Sequence, residues 1–145
     1  MDRADALELF QVIVNAAMEC RREHGEVPLT FILAMPNHEL VHVPSVPGFD
    51  AGKMAETIRG ISEQFGARYV LSVGEAWVSA RTTIEGVRPS QDPERTEALM
   101  VSIDGPDLER IASVEIRPDG TLGEPVFEDT FYGRMANLSG MAGIN

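Results

Sequence analysis

Tyr69-Val-Leu-Ser-Val-Gly-Glu-Ala-Trp-Val-Ser-Ala80 is the stretch that decides the fold. Its β-branched and aromatic residues are typical of a β-strand, and no other run in the chain is so strongly patterned. Alternation places Glu75 on the face shared by four residues that favour burial: Tyr69, Leu71, Val73 and Trp77. A carboxylate on such a face needs a partner, a position near the surface or a raised pKa. Glu75 is therefore a candidate functional residue.

Glu75 admits a functional and a structural interpretation. In the functional one, it is a catalytic or ligand-binding acid in a pocket beside Trp77. In the structural one, a bulge at Gly74 turns the side chain outward, or an arginine pairs with it. The structural interpretation is favoured, because ion pairs perturb carboxylates more often than catalysis does.

Shorter apolar runs on both sides of this stretch predict the remaining strands. They are Leu29–Met35 and Glu39–Val43 before it, Ala98–Ile103 and Ile111–Ile116 after it, and Leu122–Phe127 as a candidate for a short last strand. Turn signals at 36–37 and 118–120 separate consecutive runs. Because strands joined by short turns pair side by side, we expect an antiparallel or mixed sheet of about five strands.

Two amphipathic stretches predict the main helices. The first runs from a capping Asp2 to Gly25, and the second runs from Asp50 to Gly66. Their apolar residues recur at spacings of three and four: Ala6, Leu9, Phe10, Ile13, Ala17 and Cys20 in the first, and Met54, Ile58, Ile61 and Phe65 in the second. Residues 131–138 are a candidate for a short third helix.

The predicted order is α-β-β-α-β-β-β in a single α+β domain spanning residues 1–145, with the small residues 139–145 as a frayed tail. We expect the two main helices to cover one face of the sheet. The same order occurs in profilin-like and roadblock-type domains, which is an analogy of fold and carries no function.

The composition is that of an acidic folded domain. The 145 residues include 12 basic and 23 acidic side chains, giving a net charge of −11, and 43% are apolar. Such a chain repels phosphate backbones, so we expect no direct binding of nucleic acid. The lone Cys20 cannot form an internal disulfide, which fits a reducing compartment. No apolar run is long enough to span a membrane and the first residues are too charged for a signal peptide, so we expect a cytoplasmic protein.

Residues 38–42 spell His-Glu-Leu-Val-His, the H-E-x-x-H pattern of zinc peptidases. In those enzymes, two histidines on one helix bind the metal and the glutamate is the general base. Pro36 and Pro44 flank the segment closely and the run before it is β-like, so we expect it to be extended. In a strand, His38 and His42 stand about 13 Å apart, too far to share one zinc. No metal or other cofactor is therefore expected, and a zinc-dependent hydrolase using His38, Glu39 and His42 is the alternative.

Residues 81–95 form a loop without a periodic pattern, at a length where loops are usually functional or disordered. Arg81, Arg88 and Arg95 are candidates to contact an anionic ligand. A plain connection between two strands is the commoner role of such a loop.

Gly74-Glu75-Ala76-Trp77, Pro89 and residues 92–101 together resemble a pattern found in small uncharacterised bacterial and phage α+β proteins. In that family, an E-A-W strand leads through a proline-bearing loop to a D-P-x-R-x-E-x-L strand and then to a strand ending in I-x-R. The resemblance covers residues 69–122 and implies a fold without an activity. It also implies that Glu75, Trp77, Arg95 and Glu97 form one constellation, in which Arg95 bridges the two glutamates.

The sequence lacks the signatures of nucleotide-binding loops, nucleophile elbows and paired cysteines. A well-patterned fold without an intact catalytic motif favours a non-enzymatic interaction module. We expect it to associate with a second copy of itself through a sheet edge or a helix face.

Overall fold

The computed structural model describes residues 1–45, 51–78 and 96–129. These residues form, in chain order, α1 (Arg3–His24), β1 (Thr30–Ala34), β2 (Leu40–Pro44), α2 (Ala51–Phe65), β3 (Tyr69–Val78), β4 (Thr96–Gly105), β5 (Leu108–Ile116) and β6 (Val126–Asp129). This order differs from the predicted α-β-β-α-β-β-β by one additional strand, β6. The third helix expected at 131–138 and the tail at 139–145 lie outside the described residues. Neither α1 nor α2 has a stretch long and apolar enough to cross a membrane.

The described strands form one antiparallel sheet in the order β2-β1-β3-β4-β5-β6. The α+β class is confirmed, and the sheet has one strand more than the expected five. The last strand also begins later than expected, because Leu122 makes only an isolated bridge to Ile116 and regular pairing starts at Val126. Pro125 has no N–H to donate to a ladder, which accounts for the late start.

The ends of α1 follow from its sequence. Asp2 accepts a hydrogen bond from the Asp5 N–H (2.9 Å), and the Asp5 carboxylate accepts one from the Asp2 N–H (3.2 Å). This reciprocal capping satisfies N–H groups that have no partner inside the helix. Gly25 ends the helix with a φ of 76°, a left-handed conformation that favours glycine.

The two helices pack on opposite faces of the sheet, which corrects the expectation that they share one. The cluster around α1 contains Ile32 and Ala34 of β1, whereas the cluster around α2 contains Phe31 and Leu33 of the same strand. Successive strand residues point to opposite faces, so the sheet separates the helices. A strand that is apolar on both sides needs cover on both, and the last four residues of β1 are all buried. We call the two surfaces the α1 face and the α2 face.

The larger core lies on the α1 face and leads directly to Glu75. Tyr69, Leu71 and Val73 of β3 pack in one cluster with Phe10 and Val14 of α1. The next residue of β3 on this face is Glu75, which comes where α1 reaches its last turn. The pairing of β3 with β4 runs without a break through this point, so the bulge considered at Gly74 is absent from the described ladder.

Candidate functional site

Glu75 forms an ion pair with Arg21 across the α1 face. Arg21 lies in the last turn of α1, and its Nε stands 2.9 Å from Oε1 of Glu75. The two side chains are 15% and 23% exposed, so water screens the pair only in part. Both atoms are buried, and their angles fall outside those of a hydrogen bond, so the contact is a close ion pair. It joins the C-terminal end of α1 to the sheet.

The pKa of Glu75 is raised above the ordinary value of a glutamate. Burial is the largest cause, since it disfavours the charged form. Arg21 acts in the opposite direction, as does a hydrogen bond from the Val27 N–H, while the nearby Glu97 and Glu26 raise the pKa further. Burial and acidic neighbours therefore outweigh the arginine.

Arg21 is the partner of Glu75 that the sequence analysis missed. An arginine partner for Glu75 was expected to be Arg95, which lies outside the described residues, so its bridge to Glu97 stays a prediction. In the sequence, Arg21 is one of three basic residues in the last turn of α1, with Arg22 and His24, and all three suit the C-terminal end of a helix. Its proximity to Glu75 depends on how α1 packs on the sheet, and that packing is not encoded in any local pattern.

Trp77 and Glu97 lie directly opposite each other on β3 and β4. Trp77 is two residues after Glu75 and therefore points to the same face of the sheet. The structure thus brings together three of the four residues of the predicted constellation. Beside them is a cleft of about 430 Å³, lined by Arg21, Trp77, Thr96, Glu97, Glu115, Ile116, Arg117, Pro118 and Gly120. We call it the Trp77 cleft; its tryptophan is 38% exposed.

The charges around the Trp77 cleft are largely neutralised within the protein. Arg21 is paired with Glu75, and Nε of Arg117 stands 3.4 Å from the Glu115 carboxylate. Among the described lining residues, Thr96 carries the only hydroxyl and none carries a thiol, an imidazole or an amine. The described lining offers the Thr96 hydroxyl and the carboxylates of Glu97 and Glu115 as its polar groups, besides the two arginines.

The H-E-x-x-H segment is not helical. His38 ends a turn with a φ of 73°, Glu39 follows it, and the strand β2 begins at Leu40. The expectation of an extended segment is confirmed for Leu40–Pro44 and corrected for His38, whose left-handed conformation takes it out of the strand. His38, Glu39 and His42 are all exposed. Within residues 1–45, 51–78 and 96–129, no group of three or more His, Cys, Asp or Glu side chains is arranged to hold a metal ion.

A second carboxylate pair, Asp104 and Glu109, lies at the other end of the sheet. These residues are direct cross-strand neighbours on β4 and β5, on the α2 face beside a cleft of about 450 Å³. Burial, and then the charge and hydrogen bonding of Glu109, raise the pKa of Asp104 to about 6, against the opposing effect of Arg59. The sequence analysis did not single out this pair, because its cross-strand register is not visible before β4 and β5 are aligned.

The edge strand β2 carries exposed apolar side chains at one end of the described sheet. Its outer side has no neighbouring strand among the described residues, and Leu40 and Val41 are 40% and 44% exposed. It contains neither a carboxylate nor an amine, unlike the opposite edge β6, which contains Glu128 and Asp129. Edge strands usually limit such exposure with charged residues.

Comparison of the chain with protein-family models, with curated proteins and with solved structures gives no significant match.

Proposed function

We propose that the chain is a non-enzymatic interaction module that binds a second copy of itself through the open edge of β2. The observation that carries the proposal is the edge itself, which has no neighbouring strand among the described residues on its outer side and which exposes Leu40 and Val41. Main-chain hydrogen bonds across such an edge give affinity, and alternate side chains give specificity.

Charge supports a partner at β2 rather than at β6. At a net charge of −11, two copies repel each other at most contact surfaces. β2 has no acidic side chain to add to that repulsion, whereas β6 would bring Glu128 and Asp129 of each copy together. Association through one edge also closes at two copies instead of growing into a fibre.

The chemistry around Glu75 supports a structural role for that carboxylate. It has a cation at 2.9 Å, and its raised pKa follows from burial and acidic neighbours, with no reacting group required.

The likeness to profilin-like and roadblock-type domains is likewise a proposal, supported by the order of the elements alone. The cytoplasmic location is a proposal that the single cysteine supports.

Sedimentation velocity of the whole chain and of three lysine variants tests the proposal. A strand of five residues forms a small interface, so we expect a dimer with a Kd of about 10–100 µM. Val41→Lys puts a charge on the edge and should give a monomer. Val126→Lys on β6 and Val12→Lys on α1 are matched controls at exposed valines, and both should still dimerise. A wild-type chain that stays monomeric at several times that concentration, or a dimer lost only in Val126→Lys, would overturn the proposal.

A further inference from the structure

The pairing of β1 with β2 determines which backbone groups β2 leaves open. The Met35 N–H donates to the Glu39 carbonyl (2.9 Å), and the Ser45 N–H donates to the Leu29 carbonyl (3.2 Å). Both pairs continue the β1–β2 register. Hydrogen-bonded pairs alternate with non-hydrogen-bonded pairs along an antiparallel ladder, so the odd-numbered residues of β2 bond to β1.

The even-numbered residues of β2 therefore direct their backbone groups outward. Leu40 and His42 each offer an N–H and a C=O there, whereas Pro44 offers only a C=O. The open edge thus has two donors per copy, both in the first part of the strand.

We infer that two copies pair β2 with β2 in antiparallel orientation about a two-fold axis at His42. Each His42 then donates its N–H to the His42 carbonyl of the other copy. Each Leu40 donates to the Pro44 carbonyl of the other copy, so every outward N–H of the two strands has an acceptor. This register rests on the proposed self-association and specifies its geometry.

Neighbouring registers are less favourable. A shift by one residue would place the outward backbone groups of the even-numbered residues opposite odd-numbered residues, whose backbone groups bond to β1. It would also place side chains from opposite faces of the two sheets beside each other. A two-fold axis at Val41 keeps the hydrogen bonds of Leu40 and His42 but brings Pro44 against His38, which has left the extended path with a φ of 73°. The axis at His42 overlaps all five residues of β2.

The side chains suit this arrangement. Val41 lies opposite Val43 of the other copy on the α2 face, and Leu40 lies opposite Pro44 on the α1 face, so apolar side chains cover one another. The residues that become covered include Leu40 and Val41, the two exposed large apolar residues of the strand.

Disulfide trapping tests the register. In a Cys20→Ser background, which removes the only natural cysteine, His42→Cys places the two thiols at directly paired positions about 5.5 Å apart at Cα, within the range for a disulfide. In Leu40→Cys the two thiols are offset by four residues along the strands, about 13 Å. In Val41→Cys the two thiols lie directly opposite each other only if the two-fold axis is at Val41. Rates of dimer formation under mild oxidation are followed on non-reducing gels, with circular dichroism as a check on the fold of each reduced variant.

We expect His42→Cys to form the covalent dimer at least about tenfold faster than Leu40→Cys or Val41→Cys. Faster trapping of Val41→Cys would overturn the axis at His42. Slow trapping of all three variants, while the Cys20→Ser parent sediments as a dimer, would overturn the pairing through β2, both here and in the proposed function, and leave only self-association through another surface. A parent that sediments only as a monomer would overturn the register together with the proposed function.

Discussion

Arg21 and Glu75 join the last turn of α1 to β3, one of the two central strands of the described sheet, with Nε and Oε1 2.9 Å apart. The pair lies at the boundary between the apolar core of the α1 face and the Trp77 cleft. Burial disfavours the charged form of Glu75 and raises its pKa. Arg21 acts in the opposite direction and so offsets part of the free-energy cost of burying the ionised carboxylate.

Arg21→Ala should therefore destabilise the protein by about 2 kcal/mol, between the cost for an exposed pair and that for a fully buried one. The exposed neighbour Arg22 is the matched control, and its replacement by alanine should cost less than about 0.5 kcal/mol. Urea denaturation of the two variants measures the difference. Adding Glu75→Gln to Arg21→Ala should recover part of the loss, since it removes the stranded charge. Equal losses for Arg21→Ala and Arg22→Ala would contradict the role of the pair.

Asp104 should make stability depend on pH in the acidic range. Its pKa is about 6 in the folded protein against 3.8 as the ordinary value, so the folded state holds the proton more tightly. Its contribution to stability is therefore fully present below about pH 4 and is lost as the pH rises toward 6. We expect Asp104→Asn to raise the free energy of unfolding by about 1 kcal/mol at pH 7.5, a value reduced for solvent screening of this half-buried group.

The same variant should have little effect at pH 4, where Asp104 is already protonated. Urea melts of wild type and Asp104→Asn at both pH values give the comparison. A stabilisation of equal size at pH 4 and pH 7.5 would mean that the ionised carboxylate is not the cause.

Gly105 and Gly60 should respond in opposite ways to alanine. A Cβ at Gly105 would overlap the ring of Tyr69, which is fully buried, whereas a Cβ at Gly60 on α2 would meet nothing within 4 Å. We expect Gly105→Ala to cost about 1–3 kcal/mol through overpacking. Gly60→Ala should stabilise the protein by about 0.5–1 kcal/mol, because alanine is the better helix former. Thermal melts of both variants distinguish these outcomes, and a neutral Gly105→Ala would show that the ring moves aside freely.

His42→Lys should weaken self-association because it places two ammonium groups directly opposite each other across the two-fold axis. The neighbours of His42 on the α1 face of this edge, Leu40, Pro44 and Ile32, carry no charge that would compensate. His38→Lys is the control, since His38 lies in the turn before the strand. We expect the Kd measured by sedimentation to rise at least about tenfold for His42→Lys and to change little for His38→Lys. Similar Kd values for the two variants would place the axis elsewhere.

Local sequence patterns were sufficient to predict the elements and the position of Glu75. Asp2 and Gly25 mark the ends of α1 through capping and left-handed backbone geometry, and alternation along β3 places Glu75 beside Trp77. The prolines at 36 and 44 were enough to argue against a helix between them. These inferences depend on residues that are close together in the chain.

The features that could not be predicted depend on residues that are far apart in the chain. The pairing of β1 with β3, the packing of α2 on the face opposite α1, and the contact of Arg21 with Glu75 all arise when elements assemble. The unbroken apolar run of β1 indicates a strand that is buried on both faces. The expectation that both helices cover one face did not take this into account. Arg95 and the rest of the loop 81–95 lie outside the described residues, so the predictions made for them stand as predictions.

Amide hydrogen exchange along β2, measured by NMR at low and high protein concentration, tests the central claim most directly. The N–H groups of Leu40 and His42 point away from β1, whereas those of Val41 and Val43 bond to it. Self-association through this edge predicts that protection at Leu40 and His42 rises with protein concentration while protection at Val41 and Val43 stays constant. Exchange at Leu40 and His42 that is independent of concentration, in a sample that sedimentation shows to be dimeric, would contradict the account.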